Sequence, residues 1–278
     1  MASIRPDPAA EELRQACERA GMDPDRLDPE ILARMRLLAA CTPTVDDCRR
    51  AMDLAEHVFD YFAIGDEPFA EVEKATVRIG SLFSDIGKTG PRHASPADQR
   101  LIAQMFAIER VPNELLTITD FLEEYFPGDA PMRSERLKGL GLNLHSTMRE
   151  FWNLHSTWTL DIMQSDGVPS EAVAAAATHH LLENVNPDSI VAEDGRFTRH
   201  FGTNGAFDRP EKLVILLDKY DAARRRGRQG HVEAIAWLRD LLSRHPRFSH
   251  DMEFMGLIAV LDTAVAPHEA EIYGSDER

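Results

Sequence analysis

Residues 81–91 read SLFSDIGKTGP. The run that leads into them, PFAEVEKATVRIGSLFSDIG (68–87), carries apolar residues at three-to-four spacing and none of the alternation of a half-buried strand. It predicts a helix that ends on Ser84 and Asp85. Lys88 follows about one helical turn later, and Gly90 and Pro91 then turn the chain away. A carboxylate and an amine at the end of an apolar helix are delivered to a fixed place in the fold, so the surroundings of this turn decide what kind of protein this is.

Helical patterning extends outward on both sides. PAAEELRQACERAG sets Leu13 and Cys17 four apart and stops at Gly21, and DPEILARMRLLAAC repeats apolar residues at helical spacing. TVDDCRRAMDLAEHVFDYFAIG opens on Thr44 as its expected N-cap, with Asp46 and Asp47 in the first turn and a stripe of Met52, Ala55, Val58, Phe59 and Phe62. SPADQRLIAQMFAIE has a Ser95 cap and Pro96 at the first helical position. After a turn at 127–131 come LHSTMREFWNLHSTWTLDIM and the alanine-rich PSEAVAAAATHHLLENV, and then PEKLVILLDKYDAARRRG, HVEAIAWLRDLLSRH and SHDMEFMGLIAVLDTAV. Period-two runs and Asn-Gly hairpins between them are lacking, and VNPDSIVAEDGRFTRHFGTNGAFDRP is the longest irregular stretch. The expectation is an all-α chain of about ten helices. It divides into an N-terminal helical extension (1–43), a main helical domain (44–245, with an insertion at about 100–140), and a C-terminal helix with a polar, frayed tail (246–278).

With 278 residues, 43% of them hydrophobic, the chain can bury one large core and a smaller appendage. A formal net charge of −16 repels nucleic-acid polymers and anionic membranes. No apolar run approaches the roughly 20 residues of a membrane helix, and MASIRPDPAAEELRQ lacks a signal-peptide core, so a cytoplasmic protein is expected. Cys17, Cys41 and Cys48 have no CxxC spacing and read as small core residues, not as a disulfide frame or zinc ribbon. Against the acidic whole stands one basic cluster, Arg224–Arg228, which reads as a solvated helix end or as an anion contact.

Several polar residues lie where apolar ones are expected. His57 lies one turn after Asp53, His155 lies within an aromatic helix, His179 and His180 close the alanine-rich helix, and Asp218 follows LVILL. Singly, a lone histidine is read as a hydrogen-bonded core residue and the histidine pair as a surface accident as often as a ligand pair, whereas Asp218, if buried, needs a partner or a cation. Together with Asp85 they suggest one convergent site of imidazole and carboxylate ligands, the donor set of iron, manganese and similar divalent ions.

The order of these residues resembles the H…HD…D signature of the HD-domain phosphohydrolase superfamily. SDIGKTGP is similar to the HDIGK-x-G-x-P segment of its HD-GYP branch, NLHSTWTLDIM to that branch's next ligand helix, ATHH to the histidine pair, and LLDKYDAARRR to ADVYDAL…R. The resemblance covers roughly residues 50–242. It implies an HD-domain-type helical bundle whose bridging carboxylate is Asp85. One metal site would comprise His57, the position of Ser84, Asp85 and Asp218, and a second Asp85, His155, His179 and His180, with Asp53 in support. Lys88, Arg226 and Arg228 would contact phosphate, and Tyr220 and Asp221 would be framework. The implied activity is metal-dependent hydrolysis of a nucleotide, a cyclic dinucleotide or another small phosphoester, using one or two divalent transition-metal ions and Asp85 and Lys88 as the catalytic pair. A homodimer or a signalling partner fits the same picture. The chain departs from the pattern in four places: Ser84 replaces the first ligand of the HD pair, LLENVNPDSIVAEDG stands where GYP belongs, the interval from Asp85 to His155 is longer, and the loop from Asp218 to the arginine is shorter. An intact second site and a loosened first site are therefore expected, with His93 a further donor for the latter. The alternatives are a catalytically impaired signalling or scaffold protein that keeps metal or ligand binding, and a purely structural helical protein.

Overall fold

The computed structural model describes residues 8–274, except 109, 110 and 112. In chain order its helices are α1 (Pro8–Arg19), α2 (Pro29–Cys41), α3 (Thr44–Ala63), α4 (Glu71–Phe83), α5 (Pro96–Phe106), α6 (Ile118–Tyr125), α7 (Ala130–Gly139), α8 (Met148–Met163) and α9 (Ser170–Ala177). A hairpin, β1 (Arg196–Phe201) and β2 (Asn204–Ala206), precedes α10 (Arg209–Arg225), α11 (His231–Arg244), α12 (Met252–Val265) and α13 (Glu269–Tyr273). The chain is all-α, as its periodicity implies, with this hairpin as an addition.

The centre of the fold is α4, which packs against α3, α9 and α10. Small residues make this approach close. A Cβ added at Gly80 would lie 2.8 Å from the Cβ of Ala175 and 3.1 Å from Val214 Cγ2, and Ala174–Ala177 are wholly buried. The alanines of α9 therefore serve packing as well as helix propensity. The result sets the end of α4, which carries Asp85, beside the end of α9, which carries His179 and His180.

The extension, so far as its described residues go, belongs to the same body. Leu13, Cys17, Ile31, Met35 and Leu38 join the continuous core. Arg34 is fully buried and reaches the turn after Asp85. Its guanidinium donates to Thr89 Oγ1 (2.8 Å), Gly90 O (3.2 Å), Pro91 O (3.1 Å) and Arg92 O (2.8 Å), and to Glu30 Oε1 (2.8 Å). Gly90 holds φ 86°, a left-handed conformation that suits glycine.

Three local expectations change. Thr44 is the first residue of α3 and not its cap: Pro43, at φ −75° and ψ 2°, already turns the chain, and Thr42 Oγ1 accepts from the Thr44 N–H at 3.2 Å. The stretch expected to be irregular contains β1 and β2, joined through Gly202 (φ 60°) and tied to α9 by Glu171 Oε1, which accepts from Thr203 N at 2.9 Å. Only Phe197 and Phe201 of β1 are buried, four apart, so no alternation announces the strand. Through Tyr273 the C-terminal tail is not frayed: the Tyr273 hydroxyl donates to Asp221 Oδ1 at 3.1 Å and Glu269 pairs with Arg224. The expectations for residues 1–7 and 275–278, and for 109, 110 and 112 of the insertion, fall outside the described residues.

Candidate metal centre

Asp85 leaves α4 into a 3-10 turn, Ile86–Thr89. Thr159 of α8 pins that turn: its hydroxyl donates to Ser84 O (2.8 Å) and accepts from Gly87 N (3.1 Å). Gly87 is needed for proximity. A Cβ there would lie 2.0 Å from His155 O and 2.7 Å from Thr159 N, so the turn rests directly on the backbone of α8. This contact brings Asp85 and His155 together across 70 residues of chain.

His155 and His179 aim their Nε2 atoms at Asp85. His155 Nδ1 faces Trp152 O, and His179 Nδ1 lies 2.7 Å from Ala176 O. A carbonyl only accepts, so in each ring the proton sits on Nδ1 and Nε2 presents a lone pair. These two Nε2 atoms are 2.9 Å apart, and they lie 3.3 and 3.6 Å from Asp85 Oδ1. Two lone pairs and a carboxylate oxygen facing one another need a cation. Burial lowers the His155 pKa although the nearby Asp85 carboxylate would favour a charged ring, which disfavours a protonated ring as that cation. Bonds of about 2.1 Å place neighbouring ligand atoms about 3.0 Å apart in an octahedron and about 3.4 Å apart in a tetrahedron. The observed separations fit a divalent transition metal.

His180 completes the group, in which each of the three histidines offers a ligand atom within 4.8 Å of the others. It is packed edge-on to His155, with centroids 4.9 Å apart. Its Nδ1 lies between Glu183 Oε2 and the Lys219 ammonium (2.7 Å), and that same Glu183 oxygen accepts from Lys219 Nζ at 2.7 Å. Burial, and then the Lys219 ammonium, push the His180 pKa down to about 3, so the ring is neutral and ready to ligate at physiological pH. Burial alone would raise the Asp85 carboxyl, but the Lys88 ammonium holds it well below the usual range. Burial likewise opposes ionisation of Asp218, and the Lys219 ammonium overcomes it. Asp218 Oδ2 is buried without a hydrogen-bond partner, although Lys219 Nζ lies 3.0 Å away off the hydrogen-bonding direction. This carboxylate, in the same cavity as His155 and His180, is paired in charge with Lys219 and has one oxygen left over as a further donor.

The predicted residues thus separate into two sets. Asp85, Lys88, His155, His180, Asp218 and Arg226 line one cavity of about 240 Å³, and His179 lies beneath it against Asp85. His57, Asp53, Arg228 and His93 are not brought there. His57 stacks on His268, with centroids 4.0 Å apart, in a separate surface hollow. Residues of α3 that do face Asp85 are Asp47, Cys48 and Ala51. Nine residues separate Cys48 from His57, which is half a turn around the helix and about 13 Å along it. Asp53 pairs with Arg19, His93 lines a hollow beside Trp158 and Asp161, and Arg228 stands exposed beyond the end of α10 at φ 51°.

Where a first ligand was expected, Ser84 Oγ donates to Ser81 O at 3.2 Å and touches Cys48 Sγ at 3.8 Å. Burial pushes the Cys48 thiol well above its ordinary pKa, so the sulfur stays protonated. Tyr220 and Asp221 are framework: the Tyr220 hydroxyl meets His231 Nδ1 at 2.7 Å, and Asp221 is held by Arg50 (2.8 Å) and Arg225 (2.7 Å).

Sequence reasoning missed Glu183, Lys219, Thr159, Asp47 and Cys48. Thr159 carried a signal, since it lies four residues after His155 on the same helical face, and so did Lys219, a charge beside Asp218 within a buried helix. The insertion was read only as extra chain, yet its Phe106, Ile108 and Glu114 form the cavity mouth opposite Arg149, Trp152 and Asn153. No protein-family model, curated protein or solved structure matches this chain.

Proposed function

We propose that the chain is a metal-dependent phosphohydrolase of HD-GYP-like type that acts on a nucleotide or other small phosphoester. The observation that carries this reading is the convergence of the His155 and His179 lone pairs on Asp85 Oδ1 at the base of a cavity that also holds Lys88 and Arg226. A divalent ion held by Asp85, His155, His179 and His180 would lower the pKa of a coordinated water and draw charge from phosphoryl oxygens. The chain's own residues supply the rest. Lys88 and Arg226 offer a point charge and a planar fork to phosphate. Phe106 and Trp152 wall the cavity with aromatic surface of the size of a nucleobase. Asp218 and Glu183 keep Lys219 charged, and the Trp152 and Ala176 carbonyls fix the tautomers of His155 and His179.

The second reading, a signalling or scaffold protein that binds metal or ligand without turnover, is favoured by the Ser84–Cys48 contact in place of a ligand pair. One experiment separates the two. Purified protein reconstituted with manganese or iron is assayed for bound metal and for hydrolysis of a generic phosphodiester and a phosphomonoester, with Asp85→Ala alongside. Bound metal with hydrolysis that Asp85→Ala abolishes is the expected result; bound metal without hydrolysis selects the scaffold; absence of bound metal ends the hydrolase reading.

A further inference from the structure

The resemblance implies two metals flanking a bridging carboxylate, which Asp85 would supply. The two sides of Asp85 differ here. Oδ1 faces the imidazoles, whereas Oδ2 lies 2.7 Å from Lys88 Nζ. The Lys88 side chain is aimed by the backbone. In a 3-10 turn residues i and i+3 eclipse, and Lys88 N donates to Asp85 O at 2.9 Å, which stacks the ammonium over the carboxylate.

The Ser84 side does not fit a second metal. Its void is about 10 Å³, room for one water, and is lined by Cys48, Ser81, Ser84 and four aspartates. Two of the four are spoken for: Asp47 by Arg50 (2.8 Å) and Arg225 (2.6 Å), and Asp221 by the same two arginines (2.8 and 2.7 Å). Imidazole is absent from its lining, and Ser84 Oγ is engaged with Ser81 O. What remains is Asp218, which the Lys219 ammonium approaches to 3.0 Å, and the oxygen of Asp85 that Lys88 already covers.

We infer that the centre is mononuclear and that the Lys88 ammonium stands where a second cation would sit on Asp85. This rests on the metal-binding reading of the histidine cluster above. It gives Lys88 a positioning role toward Asp85 in addition to any contact with phosphate.

The test is metal stoichiometry and affinity on the full chain, with manganese as the probe. Saturated wild-type protein is expected to hold one ion. Lys88→Met keeps the length of the stem but removes a charge a few ångströms from the ion, so it should tighten manganese binding by about 3- to 10-fold. Lys88→Arg keeps the charge and should leave affinity within about 2-fold of wild type. Thermal melts show that each variant is folded. Two ions per wild-type chain would overturn the inference and leave the proposed hydrolase standing. An affinity unmoved or weakened in Lys88→Met would overturn the role given to Lys88. A chain that binds no manganese would overturn both readings.

Discussion

Asp85 stands between two walls of different composition. On one side α8 and the end of α9 present imidazoles whose far nitrogens are engaged, His155 on Trp152 O, His179 on Ala176 O and His180 between Glu183 and Lys219. On the other, α3 and α4 present a thiol and a hydroxyl in contact with each other. Both walls are buried and close-packed, so packing does not distinguish them. The difference is in their lone pairs: the first leaves them pointing at the carboxylate and the second uses its hydroxyl on a backbone carbonyl. A ligand site is therefore recognised by what its donors lack, more than by how many of them are gathered.

The sharpest way to break this contrast is His179→Ala. It should empty the centre of metal and lower phosphoester hydrolysis by about a thousandfold, read by elemental analysis and initial rates. If metal and rate survive, the histidine wall is only a core. Next in size is Thr159→Val, which strips the hydroxyl that joins Ser84 O to Gly87 N. Two buried backbone groups lose their partner, so urea unfolding should show a loss of about 2 kcal/mol, with weaker metal binding.

The third test concerns α10, which carries Asp218. Burial pushes the Glu211 carboxyl up to about 8 from its ordinary 4.5, although it accepts from Asn204 and from the backbone of Asp208. Between those values the folded chain holds a proton that the unfolded chain has released, so this group's contribution to stability falls as pH rises from about 4.5 to 8. The slope is at most on the order of 1 kcal/mol per pH unit. Glu211→Gln, uncharged at every pH, should remove that part of the slope in melts run from pH 5 to 9. The smallest effect belongs to the opposite wall: Ser84→Ala should leave metal content unchanged and alter stability by under about 0.5 kcal/mol. A larger loss of metal would show that the hydroxyl is a ligand after all.

Much of the site was legible in the sequence because each residue broke a local pattern: His155 in an aromatic helix, Asp218 after LVILL, and the histidine pair after a run of alanines. Such exceptions mark groups that need a partner, and the fold gives them one. His57 was misplaced for a geometric reason. On an amphipathic helix, spacing shows which residues share a face but not which face meets α4, and Cys48 and His57 lie on opposite ones. Arg34 lay on the buried stripe of Ile31, Met35 and Leu38, where a charge is unexpected, yet its acceptors are some 55 residues away and no local rule joins them. The hairpin was invisible because its two buried phenylalanines do not alternate.

The contact of Gly87 with the His155 carbonyl fixes more than a turn. With no side chain between the two backbones, the main chains that carry carboxylate and imidazole cannot draw closer. Under the metal-binding reading, that interval would act as a ruler for ions: it suits bonds near 2.1 Å better than the roughly 2.3–2.6 Å and six to eight oxygens that calcium takes. Discrimination by ionic radius would then depend in part on a residue that contributes no ligand.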